Sequence, residues 1–188
     1  MVSPTQLSVV RMIPVAQRVA RAGRRRLGVF RLLNSTRGWD AHHTPVDDVA
    51  WALGELRARF ERHLPVSLVG HSLGGRAAVL AATRPEVQSV VALNPWVYPS
   101  DGAADLTGRR ILVVHGTGDR IAQPSTSAEM ARGLSRTADV EYVRVAGGKH
   151  AMLGRHTVFD RLAADFASST LLDAASARPA PGLVVRDE

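Results

Sequence analysis

Ser72 is the residue in this chain best set up to attack a carbonyl. It stands in Gly70-His71-Ser72-Leu73-Gly74, after the apolar run Val66-Ser67-Leu68-Val69 and before Arg76-Ala77-Ala78-Val79-Leu80-Ala81-Ala82. Strand, G-x-S-x-G and helix in that order form a sharp turn that lifts the serine hydroxyl to the carboxyl end of the strand. The helix N-terminus beneath it favours a group that gathers negative charge during reaction. So tight a turn implies that side chains two before and two after the serine would collide with strand and helix, which glycine avoids. A serine hydroxyl is a weak nucleophile near neutral pH and needs a neighbouring base. Histidine, with an ordinary pKa close to working pH, is the natural one. Of the seven histidines, His150 is best placed, in the glycine-softened loop Gly147-Gly148-Lys149-His150-Ala151-Met152. His156 comes second, but its position marks the start of a helix. His71 is expected to point away from the serine, His115 to end a strand, and His42, His43 and His63 to lie on loops or helix surfaces. The base in turn needs an acid to fix its tautomer and stabilise the imidazolium. Asp119 follows Ile111–His115 through Gly116-Thr117-Gly118, a placement that Asp101, Asp105 and Asp139 lack. Taken singly, each of the three fits an ordinary turn or loop residue; their order and placement together point to acyl transfer.

Such a site needs strand ends to hold it. From residue 28 onward, apolar β-type runs alternate with helical patterns. Val29-Phe30-Arg31-Leu32-Leu33 has the pattern of a strand. Helical spacing of Val49, Leu53, Leu56 and Phe60 predicts a helix over about 46–63. Strands at 66–70, 89–93, 111–115 and 140–145 follow, with helices to about 83, over 126–136 and over 155–168. This alternation predicts an α/β fold, a mostly parallel central sheet with helices on both faces. Function in such a sheet sits at the carboxyl ends of the strands, where Ser72, Asp119 and His150 all fall. The segmentation is an N-terminal helix within 1–27, a core over 28–170, and a tail over 171–188, rich in Ala, Pro and Arg, expected to be disordered.

Composition narrows the classes. The chain has 188 residues, 45% of them hydrophobic and 22% charged, enough for one domain with a proper core. It has no cysteine, which excludes disulfides, a thiol nucleophile and cysteine-ligated metals, and which fits a cytoplasmic protein. No stretch is long and apolar enough to span a bilayer, and prolines and arginines interrupt any signal-peptide core. The net charge of +7 invites a nucleic-acid reading, yet Lys149 is the only lysine and the densest cluster, Arg21, Arg24, Arg25 and Arg26, closes a helix. Cations suit that end of the helix dipole, so no nucleic-acid or membrane partner is expected.

The chain resembles small serine hydrolases of the α/β-hydrolase superfamily. The matching residues are Leu68-Val69-Gly70-His71-Ser72-Leu73-Gly74-Gly75, Val113-Val114-His115-Gly116-Thr117-Gly118-Asp119 and Gly147-Gly148-Lys149-His150, with Asn34-Ser35-Thr36-Arg37-Gly38-Trp39 like the Arg-Gly turn before the family's nucleophile. The similarity runs over about residues 28–168, and the order Ser72, Asp119, His150 is the family's. The resemblance implies nucleophile Ser72, acid Asp119, base His150, an oxyanion donor at the Leu73 N–H, and no metal or organic cofactor. It also implies a small-molecule acyl substrate, an ester or thioester of small or medium size. The connection over 94–110 leaves no room for the helical lid common in the family, so the mouth should be open, with Trp39, Trp96, Tyr98 and Met152 able to wall an acyl pocket.

The N-terminal region departs from the family. There, a strand and a glycine-containing loop supply the other oxyanion donor, and the strand lies between those matching 29–33 and 66–70. Its absence here would leave rows of unpaired backbone groups in mid-sheet. Three readings stay open: an upstream start beyond Met1, Leu7–Ile13 serving as the missing strand, or a non-catalytic, truncated hydrolase fold or gene-model fragment.

Overall fold

The structure, a computed structural model, describes residues 3, 5–173 and 180–188. The chain opens with helix α1 (Leu7–Ala22), followed by α2 (Thr44–Phe60), strand β1 (Val66–His71), α3 (Leu73–Ala81) and β2 (Val87–Leu93). Then come β3 (Arg110–Gly116), α4 (Pro124–Leu134), β4 (Asp139–Val145), α5 (His156–Leu172) and β5 (Gly182–Asp187). The strands form one sheet in the order β1-β2-β3-β4-β5, with every neighbouring pair parallel. Between β2 and β3 the chain makes only a single 3₁₀ turn, Pro99–Ala103.

The nearly unbroken apolar strands are explained by burial on both faces. Val90, Ala92, Ile111, Val113 and Val140 pack with Val49 and Leu53 of α2, Ala77–Ala82 of the α3 region, and Met130 and Leu134 of α4. Their odd-and-even neighbours, Val91, Leu93, Leu112, Val114 and Val143, pack with Val15 of α1 and Phe159, Leu162 and Phe166 of α5. The period-two alternation of side chains thus feeds two cores at once.

Two expectations are corrected and one open alternative is closed. Residues 29–33 form neither strand nor helix. Leu32 reaches the core under α2 and α3, and Val29 the small cluster of Val19, Ala164 and Ala167. The segment has a strand's composition, but among the described residues it pairs with no strand, and without a neighbour's hydrogen bonds β propensity alone makes no strand. Leu7–Ile13 is not a strand either, since it opens α1, which carries Pro14 inside it. The tail was expected to be disordered, yet Gly182–Asp187 pairs with β4 as β5; its stretch 174–179 lies outside the described residues. The run Leu183-Val184-Val185 is β-type, and ion pairs fix it laterally: Arg144 with Asp187 at 2.7 Å, Arg161 with Glu188 at 2.9 Å, and Arg186 with Glu141.

Candidate active site

Four consecutive strand ends converge. Ser72 follows β1, Asn94 follows β2, Asp119 lies just past β3 and His150 just past β4. Ser72 sits at φ 55 and ψ −122, a strained conformation that turns its side chain outward between β1 and α3. Its backbone is fixed from the neighbouring strand: Ser72 N–H donates to Leu93 O at 3.0 Å, and Trp96 N–H to Ser72 O at 3.1 Å. Of the two glycines flanking the serine, only Gly70 is sterically required. A Cβ at Gly70 would lie 2.1 Å from the Gly74 carbonyl oxygen, whereas at Gly74 it would meet nothing within 4 Å. The second crowded position is Gly75, where a Cβ would come to 3.0 Å from the Pro95 ring.

The three sequence candidates meet. His150 Nε2 lies 3.0 Å from Ser72 Oγ, and its Nδ1 lies 2.8 Å from Asp119 Oδ2. With Nδ1–H donating to the carboxylate, Nε2 is left to accept the serine proton, the tautomer a base requires. Asp119 is buried, and burial would raise its pKa; the bond from His150 and the N–H groups of Ile121 and Ala122, at 2.8 and 3.0 Å, outweigh that and hold it below the ordinary carboxylate value. The other carboxylate oxygen is thus fully engaged by backbone, and the acid is anchored from both sides. The base loop is held against β3 by close backbone approach: a Cβ at Gly116 would lie 2.2 Å from Gly148 O. At the first turn of α3, Leu73 N–H has no intrahelical acceptor and is available to an anion.

Two other histidines lie closer than their sequence positions implied. His71 does not point away: its ring stands 5.0 Å from that of His150, and its Nε2 lies 2.8 Å from the His150 carbonyl oxygen. Burial pushes its pKa down to about 4, so it is neutral at working pH. His115, fully buried, places Nε2 at 3.4 Å from Asp119 Oδ2 and 3.2 Å from Ala122 O, while Ser127 Oγ reaches its Nδ1 at 2.7 Å. Burial lowers its pKa as well. The His71 contact had no local signal, because it joins segments 79 residues apart, whereas the partners of His115 lie within the next twelve residues of the chain.

The expected acyl pocket is partly redrawn. Met152 is wholly buried among Val15, Phe159 and Leu162 and walls nothing. Its left-handed φ of 61 turns the side chain into the core as the loop enters α5. Trp39 and Tyr98 flank the Arg76 guanidinium at 4.2 and 4.6 Å, and Arg76 itself is tied twice to Asp101, at 2.8 and 3.1 Å. Trp96 stacks edge-on against Tyr98 at 5.2 Å and remains half-buried beside Ser72. A groove of about 350 Å³ lies instead at the amino ends of β3 and β4, lined by Arg110, Asp139, Glu141, Phe166 and Val184. Its walls are charged and at the opposite end of the sheet from Ser72, so it takes no part in this site. Among the described residues no group of three or more His, Cys, Asp or Glu is placed to hold a metal ion, and no helix is long and apolar enough to cross a membrane.

A parallel sheet carrying a serine on a strand–turn–helix corner, with acid and histidine from the next strand ends in that order, defines the α/β-hydrolase architecture. A model of the alpha/beta hydrolase family matches residues 58–161, just over half of the chain, and the chain belongs to that family. Among solved structures it is similar to a monoacylglycerol lipase from Paleococcus ferrophilus, with TM-score 0.66 and 16% identity over 86% of this chain and 90% of that one. An alpha-beta serine hydrolase homologue from Coxiella burnetii follows at TM-score 0.62 and 22% identity, covering 82% and 77%. The esterase domain of a Rhodothermus marinus protein has TM-score 0.58 and 17% identity, covering 83% and 79%. At these identities the likeness is one of fold. Among curated proteins no sequence matches.

Proposed function

We propose that this chain is a cytoplasmic serine hydrolase cleaving small or medium carboxylic esters or thioesters through an acyl-enzyme on Ser72. The observation that carries this reading is the unbroken chain Ser72 Oγ, His150 Nε2, His150 Nδ1, Asp119 Oδ2, at 3.0 and 2.8 Å. His150 takes the hydroxyl proton as Ser72 Oγ bonds to the acyl carbon, and Asp119 stabilises the imidazolium. Leu73 N–H faces the tetrahedral oxyanion. Collapse breaks the bond to the alcohol or thiol, which leaves with the proton from His150. Water, deprotonated by the same histidine, then releases the acid and restores Ser72. The short β2–β3 connection supports an open mouth, and Trp96, Tyr98 and Trp39 are its aromatic rim.

The test is fluorophosphonate labelling of the purified protein read by mass spectrometry. Label on Ser72, lost in Ser72→Ala, is expected; a folded protein that takes up none would overturn the reading. A second reading, a hydrolase fold kept for binding alone, is favoured by one observation: β1 ends the sheet, and Leu73 N–H is the one oxyanion donor these residues identify. A missing donor typically costs about 10²–10³-fold in turnover, so the competing readings separate on whether label appears slowly or never.

A further inference from the structure

We infer that Asn94 is a positioning residue that sets the base and the acid at their working separation, a role that rests on the hydrolase reading of the site. Asn94 is wholly buried and held at φ 40, in the left-handed region that asparagine tolerates at some cost. Its one planar amide joins two arms of the site. Nδ2–H donates to Lys149 O at 2.9 Å and to His150 O at 3.1 Å, while Oδ1 accepts from Gly116 N–H at 2.8 Å. Its own N–H donates to Val114 O at 2.8 Å. The end of β3, three residues before Asp119, is thereby tied to the backbone of the base itself. His71 adds a second donor to the same His150 carbonyl, at 2.8 Å, and Arg11 Nε holds the next one, Ala151 O, at 3.2 Å.

The amide is specific to the task. The position must accept from one N–H and donate to two carbonyls within one side chain of fixed length, and among side chains of this size asparagine alone offers both. Aspartate would keep the bond to Gly116 but face two buried carbonyls with a carboxylate. Glycine would relieve the backbone strain and remove every side-chain bond. The imidazole of His150 is fixed at its two nitrogens by Ser72 and Asp119; the Asn94 amide fixes the main chain from which the ring projects. Both constraints are needed, since a displacement near 1 Å at a reacting group costs about 10²-fold.

The test uses the full chain as Asn94→Gly and Asn94→Asp, with two readouts. The first is the low-field proton resonance of the His150 Nδ1–H bonded to Asp119, assigned by its loss in Asp119→Asn. The second is the rate of fluorophosphonate labelling of Ser72 against pH. Both variants are expected to lose or shift the low-field resonance while the amide spectrum stays dispersed, to label about 10²-fold more slowly, and to reach half-maximal rate at a changed pH. The resonance unmoved, with labelling within twofold of wild type and the same midpoint, in whichever variant folds, would overturn the role. Slowing that vanishes when assayed well below the variant's melting temperature would overturn it too, as a stability effect alone. A wild type that shows the resonance but takes no label would sink the hydrolase reading while leaving the resonance test of Asn94 intact.

Discussion

Ser72 at φ 55 is strained because its neighbours leave it no alternative. Its carbonyl accepts from Gly75, Arg76 and Trp96, and its N–H reaches Leu93. The glycines around it divide sharply in what they permit. Gly70→Ala would press a methyl into the Gly74 carbonyl at 2.1 Å, so this variant should fold poorly or lose Ser72 labelling. Gly74→Ala, with open space at its Cβ and a place in the first turn of α3, should melt at or above wild type, since alanine gains up to about 1 kcal/mol over glycine in a helix. Thermal melts of the two side by side decide it. At Asp119, the amide substitution Asp119→Asn should leave the fold intact and slow Ser72 labelling on the order of 10⁴-fold, because His150 then loses the anion that fixes its tautomer. Label uptake within tenfold of wild type would separate Asp119 from the base.

At the scale of elements, α1 is bound to the rest by more than apolar packing. Arg11 Nη2 meets Asp160 of α5 at 2.9 Å, with both side chains over nine-tenths buried at 8% and 6% exposure. Removing one member strands a buried charge, so Arg11→Ala should cost about 3–5 kcal/mol in denaturant melts. The exposed pair of Arg144 and Asp187 on β5 is a contrast, at 53% and 68% exposure, and Arg144→Ala should change stability by less than about 1 kcal/mol. Equal losses in the two variants would refute the distinction. The same scale explains why residues 29–33 and 182–187 exchanged roles relative to their sequence patterns. Both are short β-type runs, but only the second pairs with a neighbour, β4, and ion pairs from Arg144, Arg161 and Glu141 hold it there.

Across the whole molecule, burial of neutral histidines makes stability depend on pH. His71 has its pKa pushed down to about 4 by burial, against 6.5 when unfolded, and His115 is lowered for the same reason. Between those values the unfolded chain holds a proton that the folded chain refuses, so stability is complete above about pH 6.5 and falls as pH drops toward 4. At about 1.4 kcal/mol per pH unit, His71 alone removes on the order of 3 kcal/mol by the bottom of that window. Urea melts at pH 7.5 and 4.5 should show the decline, and His71→Phe should flatten it; an equal slope in the variant would remove His71 as its source. What the amino-acid sequence determined unaided was whatever is written locally. The apolar runs set four of the five strands, the glycine-bounded serine set the corner of β1 and α3, and the loops after later strands brought Asp119 and His150 to the same end of the sheet. Which of two β-type runs became a strand, which way His71 and Met152 turned, and how Asn94 came to bridge Gly116 and His150 were decided only in the assembled sheet. Those outcomes depend on free hydrogen-bonding groups and empty volume supplied by residues far away in the chain, and no local pattern records them.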